Sequence, residues 1–118
     1  MVKQGDIFWA SLNAPMGSEP GHARPYLVVQ NDALNRSRIK TAIVCVVTTN
    51  LRRAGDPGNV LLVTGEGSLR EQSVVNVSQI ATINKSQLRD KIGSLSRERI
   101  HEILHGINLV LEPRDVPA

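Results

Sequence analysis

The chain has 118 residues, 41% of them hydrophobic and 21% charged, which suits one domain over residues 1–118 with its own apolar core and argues against disorder. Its formal charge of +3 is compatible with a polyanionic partner without demanding one. No apolar run approaches the roughly 20 residues that span a bilayer, the N-terminus turns polar at Gln4, and the lone Cys45 excludes an intramolecular disulfide, so a cytoplasmic protein is expected.

In chain order, Gly5-Asp6 introduces a first strand over Ile7–Leu12. Residues 13–23 carry Pro15, Gly17, Pro20 and Gly21 and predict a long loop of the kind that often bears function. Pro25–Gln30 is a second strand, with proline at its first position, where no ladder donor is lost. Asn31-Asp32 ends it, and a polar connection runs to Lys40. Thr41–Val47 is β-branched and apolar at nearly every position, as in a strand buried on both faces, with Cys45 acting as a small hydrophobe. Leu51–Asn59, charged and rich in glycine, reads as a flexible stretch. Val60–Val63, Ser73–Val77 and Ile80–Ile83 are further strands, Asn84 can cap a short helix over Lys85–Leu88, and Lys91–Gly93 closes the sheet. From Ser96, an N-cap, Ile100, Ile103, Leu104, Ile107, Val110 and Leu111 recur at spacings of 3 and 4, and Pro113 stops the helix. One amphipathic helix on a mainly antiparallel sheet follows.

The segment Gly5-Asp6-Ile7-Phe8-Trp9-Ala10, then Gly17-Ser18-Glu19, then Arg24-Pro25-Tyr26-Leu27-Val28-Val29-Gln30-Asn31-Asp32 resembles the N-terminal half of MazF/PemK toxins. The likeness runs on through Thr41-Ala42-Ile43-Val44, Thr48-Thr49-Asn50, Gly58-Asn59-Val60 and Ser73-Val74-Val75-Asn76-Val77-Ser78-Gln79-Ile80, and it covers most of residues 4–112. The resemblance implies a small twisted antiparallel sheet curled into an SH3-like barrel with a C-terminal helix, and a twofold homodimer. It implies cleavage of single-stranded RNA at a short recognition sequence, without metal or other cofactor, leaving 2′,3′-cyclic phosphate and 5′-hydroxyl ends. It also implies a cognate MazE-like antitoxin whose extended acidic tail covers the RNA groove.

The residues suit that chemistry. Attack of a ribose 2′-OH on the adjoining phosphate needs charge stabilisation on the phosphorane and proton transfer at the 2′ and 5′ oxygens. Arg24, where the loop meets the second strand, offers a permanently charged guanidinium for paired hydrogen bonds to phosphate oxygens. Thr48 ends the third strand, where its hydroxyl can orient a phosphate oxygen. Thr49, its neighbour, points the opposite way by strand alternation. The resemblance assigns catalysis to Arg24 and Thr48 and offers Glu19 as the base. Asn31, Asn50, Ser73 and Gln79 map to its RNA-contacting regions, and Ser18, His22 and Thr49 join them as RNA-binding candidates; His22, which the family does not require, also suits acid–base work at neutral pH. Turn and cap roles compete for Asn31, Asn50, Ser73 and Gln79.

Two other readings are open. A relative on the same fold resembling CcdB would poison DNA gyrase by binding alone, and would not need the Arg24/Thr48 pair. His101-Glu102-Ile103-Leu104-His105 matches the helical H-E-x-x-H zinc signature of a small hydrolase. The apolar stripe of the same helix, however, leaves both imidazoles on its flank or outer face.

Overall fold

The computed structural model describes residues 1–11 and 23–117. Six strands form one antiparallel sheet: β1 (Asp6–Ala10), β2 (Arg24–Val28), β3 (Thr41–Thr48), β4 (Val60–Leu62), β5 (Ser73–Asn84) and β6 (Leu88–Ser94), in the spatial order β4-β5-β3-β2-β1-β6. Helix α1 (Asp32–Arg36) follows β2, and helix α2 (Arg97–Leu111) ends the fold.

The alternation of side chains along the strands sorts the core into two clusters. On one face Ile7, Leu27, Cys45, Val47, Leu62 and Val75 pack together, and α2 covers them with Ile103. On the other face Ala10, Tyr26, Val28, Val44 and Ile83 form a second cluster. Val44 and Cys45 are consecutive and both fully buried, so the middle of β3 is enclosed on both faces as its composition predicts. Toward the start of the strand Ile43 is 38% exposed.

The architecture is mainly β with a C-terminal helix, as expected, but the sheet does not close into a barrel. β4 and β6 are its edges, with no ladder between them among the described residues. The 3-10 turn Glu66–Ser68 fills the gap instead. Its Gly67 backbone lies so close to Gly93 of β6 that a Cβ on Gly93 would sit 2.2 Å from the Gly67 carbonyl oxygen.

Three local expectations are corrected. The polar connection after β2 contains α1, because the Asn31 side chain accepts from Leu34 N at 3.0 Å and caps a helical turn. Its buried Asn35 donates to Gln30 O at 2.8 Å, while Gln30 Nε2 donates to Asn35 Oδ1 at 2.9 Å and to Thr41 O at 3.0 Å. These amides satisfy one another and tie the connection to β3. The stretch expected to be flexible after Asn50 holds a 3-10 turn, Leu51–Gly55, capped by the Asn50 side chain. The strands expected over 73–77 and 80–83 are one strand, β5. Its pairing with β3 jumps from Val46↔Asn76 to Cys45↔Ile80, so residues 77–79 form a bulge.

Helix α2 begins where Ser96 Oγ accepts from Arg99 N at 3.2 Å. Its apolar stripe is buried only as far as Ile107; Val110 and Leu111 remain exposed because the last turn runs past the cluster beneath it. Burial pushes the Cys45 thiol up to about 12. At pH 8 only about one thiol in ten thousand is then the reactive thiolate. Native protein is expected to resist a disulfide reagent that titrates one thiol per chain after denaturation; rapid native labelling would contradict this burial.

Candidate active site

The start of β2 and the end of β3 meet at one end of the sheet. β2 pairs with β3 as Tyr26↔Val46, Leu27↔Cys45 and Val28↔Val44, and continuing this register by two residues sets Arg24 opposite Thr48. Arg24 also pairs with Ala10, and Thr48 with Val74. Residues opposite one another in an antiparallel pair share a face. Arg24 and Thr48 therefore stand together at the rim of the face that carries Tyr26, Val28 and Val44. Arg24 is exposed and Thr48 half-buried.

Thr48 Oγ1 accepts from Asn50 N at 3.1 Å. A hydroxyl has one proton to donate and two lone pairs, so this contact fixes the oxygen while leaving its proton for an incoming acceptor. Among the described residues the Arg24 guanidinium has no ion-pair partner. The pair is thus equipped to hold an oxyanion, with a fork of N–H donors on one strand and an anchored hydroxyl on the next.

The other predicted residues divide. Ser18, Glu19 and His22 lie outside the described residues. Thr49 is exposed beyond Thr48 and borders a cleft of about 490 Å³ together with Ser73. Ser73 is buried and its hydroxyl donates to Glu71 O at 2.9 Å. Asn50 is exposed, but its side-chain oxygen accepts from Arg52 N at 3.3 Å. Gln79 is exposed in the β5 bulge, where its Oε1 accepts from Asn76 Nδ2 at 3.1 Å. Asn31 is not brought to the pair: it follows the opposite end of β2 and caps α1. Structural capping therefore occupies the side-chain oxygens of both Asn31 and Asn50.

The cleft also draws on Trp9, Ser68, Arg70 and Glu71, which no local pattern in the sequence singles out as a site. Trp9 shares the strand face of Ile7, which is fully buried, yet the indole is 41% exposed.

The histidines of the H-E-x-x-H match are exposed on α2. Glu102, between them, accepts from Arg99 Nη1 at 2.9 Å, and Arg99 Nε donates to Glu66 Oε1 at 2.8 Å. The Arg99 hydrogen bond holds the Glu66 carboxyl below its ordinary range. Glu102 is engaged in this ion-pair network. Among the described residues, no group of three or more His, Cys, Asp or Glu is arranged to hold a metal ion, and no helix is long and apolar enough to cross a membrane.

Residues 3–111 match the family model described as PemK-like, MazF-like toxin of type II toxin–antitoxin system. The chain is 41% identical over 112 residues to the endoribonuclease MazF6 of Mycobacterium tuberculosis, covering 95% of this chain and 98% of that one. It is 37% identical to the endoribonuclease EndoA of Bacillus subtilis, covering 94% and 95%. Among solved structures, a mycobacterial endoribonuclease in complex with its cognate antitoxin superposes with a TM-score of 0.79 at 22% identity, covering 98% of this chain and 100% of that one. MazF from Deinococcus radiodurans gives 0.72 at 22% identity, covering 93% and 96%.

Proposed function

Because the chain belongs to the family of PemK-like, MazF-like toxins of type II toxin–antitoxin systems, we propose that it is an endoribonuclease that cuts single-stranded RNA at the rim formed by Arg24 and Thr48. The observation that carries this reading is the strand register, which sets a permanent cation and an anchored hydroxyl on one face of a rigid sheet.

The ribose 2′-oxygen attacks the adjoining phosphorus while the bond from phosphorus to the 5′ oxygen breaks. One strand then ends in a 2′,3′-cyclic phosphate and the other begins with a 5′-hydroxyl. Arg24 donates to the non-bridging oxygens as they gain charge, and Thr48 donates its hydroxyl proton to one of them. Glu19 receives the proton of the 2′-OH, and the leaving 5′ oxygen takes one up from solvent. The nucleophile belongs to the substrate, so no activated water is needed. Thr49, Asn50, Ser73 and Gln79, with Ser18 and His22 from the segment between β1 and β2, contact the flanking nucleotides. The exposed Gln79 amide and Thr49 hydroxyl suit the edges of unpaired bases.

The active form is a homodimer, supported by the apolar Val110 and Leu111 left exposed at the end of α2. It works in the cytoplasm and is held in check by a cognate MazE-like antitoxin with an acidic extended tail. The test is incubation of the folded protein with a long RNA of mixed sequence in excess EDTA. Cuts at one short word with 5′-hydroxyl ends are expected; intact RNA after prolonged incubation would sink the reading.

A further inference from the structure

We propose that the cleft beside the Arg24/Thr48 rim binds one unpaired nucleobase next to the scissile phosphate, with Trp9 as its stacking surface and Arg70 and Glu71 as the groups that choose the base. The inference rests on the endoribonuclease reading and names a subsite of it.

The cleft opens on the sheet face opposite to Arg24 and Thr48, but it is bordered by their chain neighbours Pro25 and Thr49. A phosphate held at the rim leaves the adjoining nucleotide to turn over that rim into the cleft. Its volume of about 490 Å³ lies in the range of small-ligand sites and admits a planar ring. Leu69 and Ile92 give it apolar walls, and Trp9, paired with Pro25 across β1 and β2, supplies an aromatic surface. Base–aromatic stacking gives affinity without choosing a base, since every base has a π-face. Choice comes from Arg70 and Glu71, which line the same cleft, are exposed, and form no ion pair with another described residue.

A carboxylate only accepts hydrogen bonds and a guanidinium only donates them. Such a pair suits a base edge that sets an N–H donor beside a ring nitrogen or carbonyl acceptor. The four bases carry that donor and acceptor at different places on their edges, so the spacing of Glu71 and Arg70 favours one base over the others.

Two measurements test this. Sequencing the RNA ends made by the wild-type protein is expected to show one position near the cut that is held to a single base. Glu71→Gln, an exposed substitution that preserves the fold, is expected to raise the relative use of the other bases there about tenfold, the scale of one hydrogen bond to a charged group. Trp9 is the only tryptophan, so a 2′-O-methyl copy of the recognised word, which cannot be cut, is expected to quench protein emission as it binds. Wild-type protein that leaves RNA intact overturns both the enzymatic reading and the subsite. Protein that cuts RNA but keeps an unchanged word in Glu71→Gln, or an unquenched Trp9 with the oligonucleotide bound by anisotropy, overturns the cleft assignment alone.

Discussion

Arg24→Ala is expected to lower the rate of RNA cleavage by about 100- to 1000-fold, the usual effect of removing one preorganised donor from a developing oxyanion. The side chain is exposed at the edge of β2, and substitutions of that kind move stability by about 0.5 kcal/mol or less. Circular dichroism and melting temperature should therefore match the wild type while activity disappears. Arg24→Lys restores little, because an ammonium keeps the charge but not the fork of parallel donors. Thr48→Val removes the hydroxyl but preserves the β-branched shape, and should lower the rate without unfolding β3. Wild-type turnover in a folded Arg24→Ala protein would refute the role given to the guanidinium.

Gly106→Ala is expected to destabilise the fold strongly, although it replaces glycine in the interior of a helix. Helical propensity alone favours alanine by about 1 kcal/mol. The new methyl, however, would lie 2.1 Å from the Gly58 carbonyl oxygen. That oxygen is backbone and cannot swing aside as the tip of a side chain could. Gly58 itself has φ +82°, a conformation that leaves its turn little freedom to retreat. Helix or turn must move instead, loosening Ile103 and Ile107 from the cluster below. Overpacking of this kind costs about 1–3 kcal/mol or more, enough to outweigh propensity and lower the melting temperature by roughly 5–10 °C. A raised melting temperature would mean that the close approach is relieved at no cost.

Much of this molecule is written in local patterns. The β-branched run of β3, the 3 and 4 spacing of α2 and the caps at Asn84 and Ser96 each report a period or a backbone need confined to a few residues. The family likeness added the Arg24/Thr48 pair, whose meeting depends on the register between β2 and β3 and on nothing adjacent in the chain. What local pattern concealed is of two kinds. Helix α1 is five residues long, too short for a hydrophobic period, and it exists because Asn31 caps it and Asn35 and Gln30 satisfy each other. The cleft gathers Trp9 from β1, Arg70 and Glu71 from the connection before β5, and Ile92 from β6. Only folding brings residues so far apart in the chain into one wall. The unbroken strand β5 was hidden for a related reason: its interruption at 77–79 looks like a turn in sequence, whereas β3 bridges it on both sides.

The turn Glu66–Ser68 bridges the two sheet edges by packing, and no backbone hydrogen bond among the described residues joins it to β6. Parting those edges would cost buried apolar contact around Leu69 and Leu95 but no rung of a ladder. Ser68 and Leu69 on one bank and Ile92 on the other are also walls of the cleft. The pocket thus lies across a junction that packing alone holds, whereas the strand pairings that align Arg24 with Thr48 lie elsewhere in the sheet.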